Sequence, residues 1–161
     1  MLIHTLAAAE CREVLKRARY GRLACARADQ PYVVPISLYL DPERNAVFCF
    51  STVGQKVRWM RKNPRVCLEV EEIVSRTEWT TVVAFGRYEE IPRAPEAASL
   101  RQRAAALFER ESSWWLPAAA TLSSGRQGVH PVIFRIRLGR VTGRRVIRPA
   151  GAGASEIRAQ S

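Results

Sequence analysis

Between Arg65 and Ile73, Val66, Leu68 and Val70 alternate with Cys67 and Glu69, the two-residue period of a strand with one buried face. Residues 6–19 follow a different period. Leu6, Ala9, Val14 and Ala18, joined by Cys11 and Leu15, form an apolar stripe, while Glu10, Arg12, Glu13 and Lys16 stay polar. This predicts an opening helix, with Thr5 as its N-cap and Gly21 as its stop. Residues 22–27 then read as a strand, and residues 28–31 turn the chain. Tyr32 to Leu40 returns as a second strand, in which Pro35, unable to donate to a ladder, marks an edge or a bulge. The turn cluster 41–45 leads to a third strand over 46–51.

Gly54 to Lys62 reads as a short helix with Val57 and Met60 inward, ended at Asn63-Pro64 because a residue before proline is pushed out of the helical region. Arg65 to Ile73 is the fourth strand and Trp79 to Ile91 the fifth, closed by Pro92. A helix is expected over 95–111, an irregular stretch over 112–128, a sixth strand over 131–138 and a seventh over 140–147. The first three strands leave no room for crossover helices, so a parallel sheet is excluded. The expected fold is mainly β: an antiparallel sheet curled into a small barrel, with peripheral α-helices.

Composition adds two constraints. At 161 residues the chain can bury a core without disulfides. No apolar run approaches the ~20 residues that span a bilayer, and the opening residues lack the basic and apolar segments of a signal peptide, so a cytoplasmic domain is expected. The 26 Lys+Arg against 15 Asp+Glu give a formal charge of +11, which draws polyanions and phosphate-bearing ligands. Arg135, Arg137, Arg140, Arg144, Arg145 and Arg148 crowd near the end, so a basic nucleic-acid-binding module is an alternative reading. Cys11, Cys25, Cys49 and Cys67 show no CxxC spacing, and His4 and His130 stand alone; neither set suggests a metal site.

The most suggestive segment is Phe48-Cys49-Phe50-Ser51-Thr52-Val53-Gly54-Gln55-Lys56. An apolar strand runs into two hydroxyl residues and a glycine, and a helix starts with a lysine in its first turn. Free backbone N–H groups, the positive end of the helix dipole and Lys56 together make an anion site; an ordinary Ser/Thr N-cap with a solvated lysine reads equally from the residues. Val34-Pro35-Ile36-Ser37 offers unpaired backbone groups to a planar ring. Thr80 and Thr81 open the fifth strand with two hydroxyls beside Trp79.

Five motifs occur in order: Gly21-Arg22-Leu23-Ala24, Gln30 to Ile36, Ser51 to Lys56, Asn63 to Val70, and Val82 to Arg87. Together they resemble the pyridoxamine 5′-phosphate oxidase-like flavoproteins, and most of all the nitroimidazole-resistance-type branch. The resemblance implies a split β-barrel homodimer binding FMN in a groove between subunits, with residues 1–148 as the domain and 149–161 as a disordered C-terminal tail. It places the FMN phosphate at Lys56, Ser51, Thr52 and Gln55, and the ring along Val34, Pro35, Ile36 and Ser37. Thr80 and Thr81 stand where relatives place polar contacts, and Trp115, beside Trp114 and Leu116, is a candidate cover from the partner chain. Phe50 occupies the site-lining position where relatives of that branch often carry histidine. Val33 and Thr80 replace phosphate-binding arginines of true pyridoxamine phosphate oxidases, which argues against that substrate. The implied function is an FMN-dependent oxidoreductase of a small organic molecule, with a nicotinamide nucleotide as a possible electron donor. Haem, deazaflavin and non-catalytic flavin binding are alternatives on the same fold.

Overall fold

A computed structural model of the chain describes residues 2–111 and 131–147. The elements run β1 (Leu2–Thr5), α1 (Ala8–Arg17), β2 (Tyr20–Arg27), β3 (Gln30–Asp41), β4 (Ala46–Thr52), α2 (Gln55–Lys62), β5 (Arg65–Ser75), β6 (Glu78–Glu90), α3 (Ala98–Glu111) and β7 (Pro131–Ile147). Every strand pairing is antiparallel, in the order β1-β7-β4-β3-β2-β5-β6, and β6 also pairs with β7. That last pairing closes the sheet into a barrel. Trp114, Trp115 and Leu116, the irregular stretch 112–128, His130 and the tail 149–161 lie outside the described residues.

The barrel interior holds Leu23, Cys25, Leu38, Val47, Cys49, Leu68, Val70, Val82, Phe134 and Ile136. Alternation along each strand delivers these side chains to one face. α1 adds Cys11, Val14 and Leu15 at one end, held by Leu6 N–H donating to Gly143 O and by the Arg17–Glu72 ion pair. α2 adds Val57 and Met60 at the other end. There Asn63 Nδ2 donates to Ala26 O at 3.0 Å, and Arg61 pairs both guanidinium nitrogens with Glu90 at 2.8 Å. A second, smaller cluster lies outside the barrel, where α3 covers Tyr39, Phe48 and Ile91 with Ala104 and Phe108. β4 is therefore buried on both faces, which is why it reads as an unbroken apolar run.

Three expectations are corrected, and one strand is added. Residues 2–5 are a strand, β1, on the end of β7; all four are exposed, so no buried face signalled it. α1 is capped at Ala7, whose N–H donates to Glu10 Oε2 at 2.8 Å, and not at Thr5. Gly21 is not the stop of α1, which ends at Arg17; it lies inside β2 because β5 passes so close that a Cβ would sit 2.6 Å from Glu69 O. Finally, the sixth and seventh strands are one 17-residue strand. Gly139 marks a register shift against β6 between Ala84 and Gly86, a bulge where a break was expected.

Among the described residues no helix is long and apolar enough to cross a membrane.

Candidate functional site

β3 and β4 are paired only from Leu38↔Cys49 to Asp41↔Ala46. Continuing that register would set Ser37 opposite Phe50, Ile36 opposite Ser51 and Pro35 opposite Thr52. Instead the strands part: residues 30–37 stay on β2, while Phe50, Ser51 and Thr52 stay on β7. The barrel is split at this point, and one edge of β3 from Val34 to Ser37 has no strand partner among the described residues. Pro35 sits on the open stretch, where its missing N–H costs no ladder bond. Val33 and Tyr20, 58% and 62% exposed, flank the opening with apolar surface.

α2 begins directly after β4. Its N-cap is Gly54 in extended conformation, with no side-chain cap. Ser51 Oγ donates to Thr52 O at 3.2 Å, and Gly54 N–H turns back to Thr52 O at 2.9 Å, so neither hydroxyl acts as a cap. The first bond inside the helix is Arg58 N–H to Gly54 O at 3.1 Å, which leaves the N–H groups of Gln55, Lys56 and Val57 without a side-chain acceptor. Trp59 meets Tyr32 edge-on at 5.7 Å, and Met60 and Val57 are fully buried, so the helix start is fixed in place.

Lys56 is half-buried and forms no ion pair among the described residues. The ionisable groups that act on it are the thiols of Cys25 and Cys49, both buried in the barrel beneath. Burial pushes its pKa below the usual lysine value, and the thiols oppose that shift. The same burial pushes Cys25 and Cys49 upward, so they remain neutral. A half-desolvated ammonium beside an uncapped helix N-terminus has no internal counter-charge. Both features attract an anion.

Val34, Pro35, Ile36, Ser37, Ser51, Thr52, Gln55 and Lys56 therefore converge on the split. Phe50 lies beside it but turns the other way, packing its ring on Phe108 of α3 at 6.4 Å. Thr80 and Thr81 are elsewhere. They pair with Glu72 and Glu71 on β5 and with Arg145 and Arg144 on β7, near the α1 end. From the level of Cys25, which faces Val66, to Glu72 is six residues of strand, or about 20 Å. Thr80 is buried and accepts from Arg145 Nε at 3.4 Å. That Cys25 and Cys49 underlie Lys56 is a tertiary fact with no local signal in the sequence.

The arginines of β7, from Arg135 to Arg145, are spread along the strand and partly neutralised. Arg135 and Arg137 share Glu89, at 2.7 and 3.3 Å, and Arg145 lies 3.7 Å from Glu10. They do not form one continuous basic face.

Residues 7–145 match the family model described as pyridoxamine 5′-phosphate oxidase. An uncharacterized protein of Rhizobium meliloti (strain 1021) is 40% identical over 117 residues, which cover 73% of this chain and 76% of that protein. The crystal structure of a FAD-binding protein from Mesorhizobium loti is similar with a TM-score of 0.76 and 40% identity, covering 91% of this chain and 100% of that one. At 14% identity and a TM-score of 0.62, covering 89% of each chain, the fold is shared with a Bacteroides thetaiotaomicron protein provisionally assigned to 5-nitroimidazole antibiotic resistance.

Proposed function

Since the chain belongs to the pyridoxamine 5′-phosphate oxidase family, we propose that it is a flavin-dependent oxidoreductase of a small organic molecule, with FMN as the cofactor. The observation that carries this reading is Lys56: a half-buried cation with no carboxylate partner among the described residues, at the uncapped start of α2 and beside an open strand edge. An FMN phosphate supplies the missing counter-charge, and the N–H groups of Gln55, Lys56 and Val57 with the hydroxyls of Ser51 and Thr52 supply its hydrogen bonds. The Mesorhizobium loti relative is named for FAD, which carries a phosphate at the same place in the flavin, so the two flavins must be told apart by affinity.

The unpaired backbone of Val34, Pro35, Ile36 and Ser37 holds the ring by its polar edge, and Ile36 and Val34 contribute apolar walls. Bound flavin supplies the hydride chemistry, with a nicotinamide nucleotide as electron donor. The protein's part is to bind, orient and exclude water. None of the residues gathered at the split is a carboxylate or histidine, so no protein acid or base is assigned. Thr80 and Thr81, on β6 opposite the far end of β5, lie too far away to join Lys56 within one chain. A homodimer that brings those threonines to the partner's split would complete the groove, and it would bury a flavin that one small barrel cannot enclose.

The test is reconstitution. Protein incubated with excess FMN or FAD and passed through a desalting column should retain the two flavin absorption bands, and Lys56→Ala should lose them. A wild-type protein that emerges colourless with both flavins would overturn the proposal. If FAD is retained and FMN is not, the cofactor assignment changes while the site stands.

A further inference from the structure

Away from the split, β5, β6 and β7 carry an arrangement that ordinary packing does not explain. Arg65 faces Arg87 directly across β5–β6, and Arg87 faces Arg137 directly across β6–β7. Residues directly opposite in antiparallel strands point to the same side, so three guanidinium stems stand in one row at the strand spacing of about 4.8 Å. Like charges in such register destabilise a sheet. Here the carboxylate supply is short. Arg137 shares Glu89 with Arg135, while among the described residues neither Arg65 nor Arg87 has a carboxylate partner.

The bulge at Gly139 lies beside this row. Phe85 of β6 falls between the register positions Ala84↔Val141 and Gly86↔Leu138, against two residues of β7, Gly139 and Arg140. The extra residue swings Arg140 over the Phe85 ring, with its guanidinium carbon 5.2 Å from the centroid. Phe85 remains 43% exposed. Gly86 permits the crowding beneath, since a Cβ there would sit 2.7 Å from Arg137 O. The result is a shallow, open depression of about 400 Å³ lined by Phe85, Arg87, Arg137, Leu138 and Arg140 with Gly86 and Gly139.

We propose that this depression is a second ligand site, one that binds a nucleoside diphosphate. An aromatic base stacks on the outer face of the Arg140 guanidinium, which itself lies over the Phe85 ring, and the two phosphates lie along Arg87 and Arg137, neutralising the row. A diphosphate suits cations placed on adjacent strands better than a single phosphate does. The site is independent of the flavin reading, because it uses none of the residues at the split.

Calorimetric titration of the full chain with ADP tests it, beside adenosine and inorganic phosphate as partial ligands. ADP is expected to bind, adenosine and phosphate each at least tenfold more weakly. Arg87→Ala and Phe85→Ala should each weaken ADP at least tenfold, while Lys56→Ala, which alters only the split, leaves it unchanged. Arg87→Ala should also melt at a higher temperature than wild type without ligand, since the row is relieved, and should lose the upward shift that ADP gives the wild type. Competition by FAD but not FMN would identify the ligand as the adenylate half of a flavin dinucleotide; competition by a nicotinamide dinucleotide would identify the electron donor. No ADP binding, or equal ADP binding by Arg87→Ala and wild type, would overturn the site. So would single-stranded nucleic acid that binds through these arginines while ADP does not.

Discussion

Lys56 carries a cost before it carries a ligand. Its ammonium is half removed from water, with two neutral thiols below it and no carboxylate nearby. In the ligand-free protein, Lys56→Met should therefore raise stability, by no more than about 1 kcal/mol because the group is still partly solvated. The sign with pH follows from the lowered pKa. Between the folded value and the usual 10.5, the unfolded chain holds a proton that the folded chain has lost, so this site adds stability as pH rises through that window. Urea titrations of wild type and Lys56→Met from pH 7 to 10.5 should show the gap between them closing; a constant gap would contradict the desolvation argument. Flavin affinity should move in the opposite direction, falling as Lys56 loses its charge. At this scale the sequence picks out Lys56 and its neighbours as candidates and is silent about their state. Ser51 and Thr52 next to Gly54 look like caps, and only the fold shows that α2 starts without a side-chain cap and that the Ser51 hydroxyl bonds to Thr52 O.

At the scale of elements, α3 is held to the barrel by a polar clamp as well as by Phe108. Asp41 is fully buried, and Arg103 donates to both its oxygens at 3.1 Å while Glu43 N–H adds a third bond at 3.2 Å. Burial alone would raise the Asp41 pKa; Arg103, Arg44 and the backbone bond together bring it below the usual carboxylate value. Asp41→Ala should cost about 2–3 kcal/mol at pH 7 in chemical denaturation. A carboxylate with a depressed folded pKa stabilises above its unfolded pKa and loses that contribution as pH falls through the folded one, so the cost of the substitution should shrink in strong acid. Packing between β2 and β5 makes a second prediction. Gly21→Ala places a methyl 2.6 Å from Glu69 O and 2.8 Å from Leu38 Cδ2, and the backbone oxygen cannot yield, so about 2–3 kcal/mol of stability should be lost. Full retention of the melting temperature would show that β5 can shift outward.

For the molecule as a whole, the elements β2 to β6 and both α1 and α2 were legible, because alternation, Asn63-Pro64 and the turn residues are local signals. What escaped was long-range. β1 has no buried face and exists only because Leu2–Thr5 meets the far end of β7. Gly139 resembles a terminator until the register against β6 shows it to be a bulge. The split itself could be named only through family resemblance, since nothing in residues 34–37 or 50–52 announces that two neighbouring strands will part after Cys49. The separation of Thr80 and Thr81 from Lys56 leads to an assembly prediction. Sedimentation of the flavin-loaded protein should give twice the chain mass with one flavin per chain, and a loaded monomer would contradict the shared groove.

The long seventh strand has a consequence for how the protein is made. β7 is hydrogen-bonded to β1, β4 and β6, and it alone joins β4 to β6 to close the barrel. While the ribosome is still adding residues after α3, both β4 and β6 wait with bare edges, and the apolar faces of Phe134 and Ile136 are missing from the core. Closure must follow synthesis of β7, and every slowdown before Pro131 lengthens the interval in which two nascent chains can pair edge to edge. Expression yield should therefore respond more to translation speed between α3 and β7 than to any comparable stretch upstream.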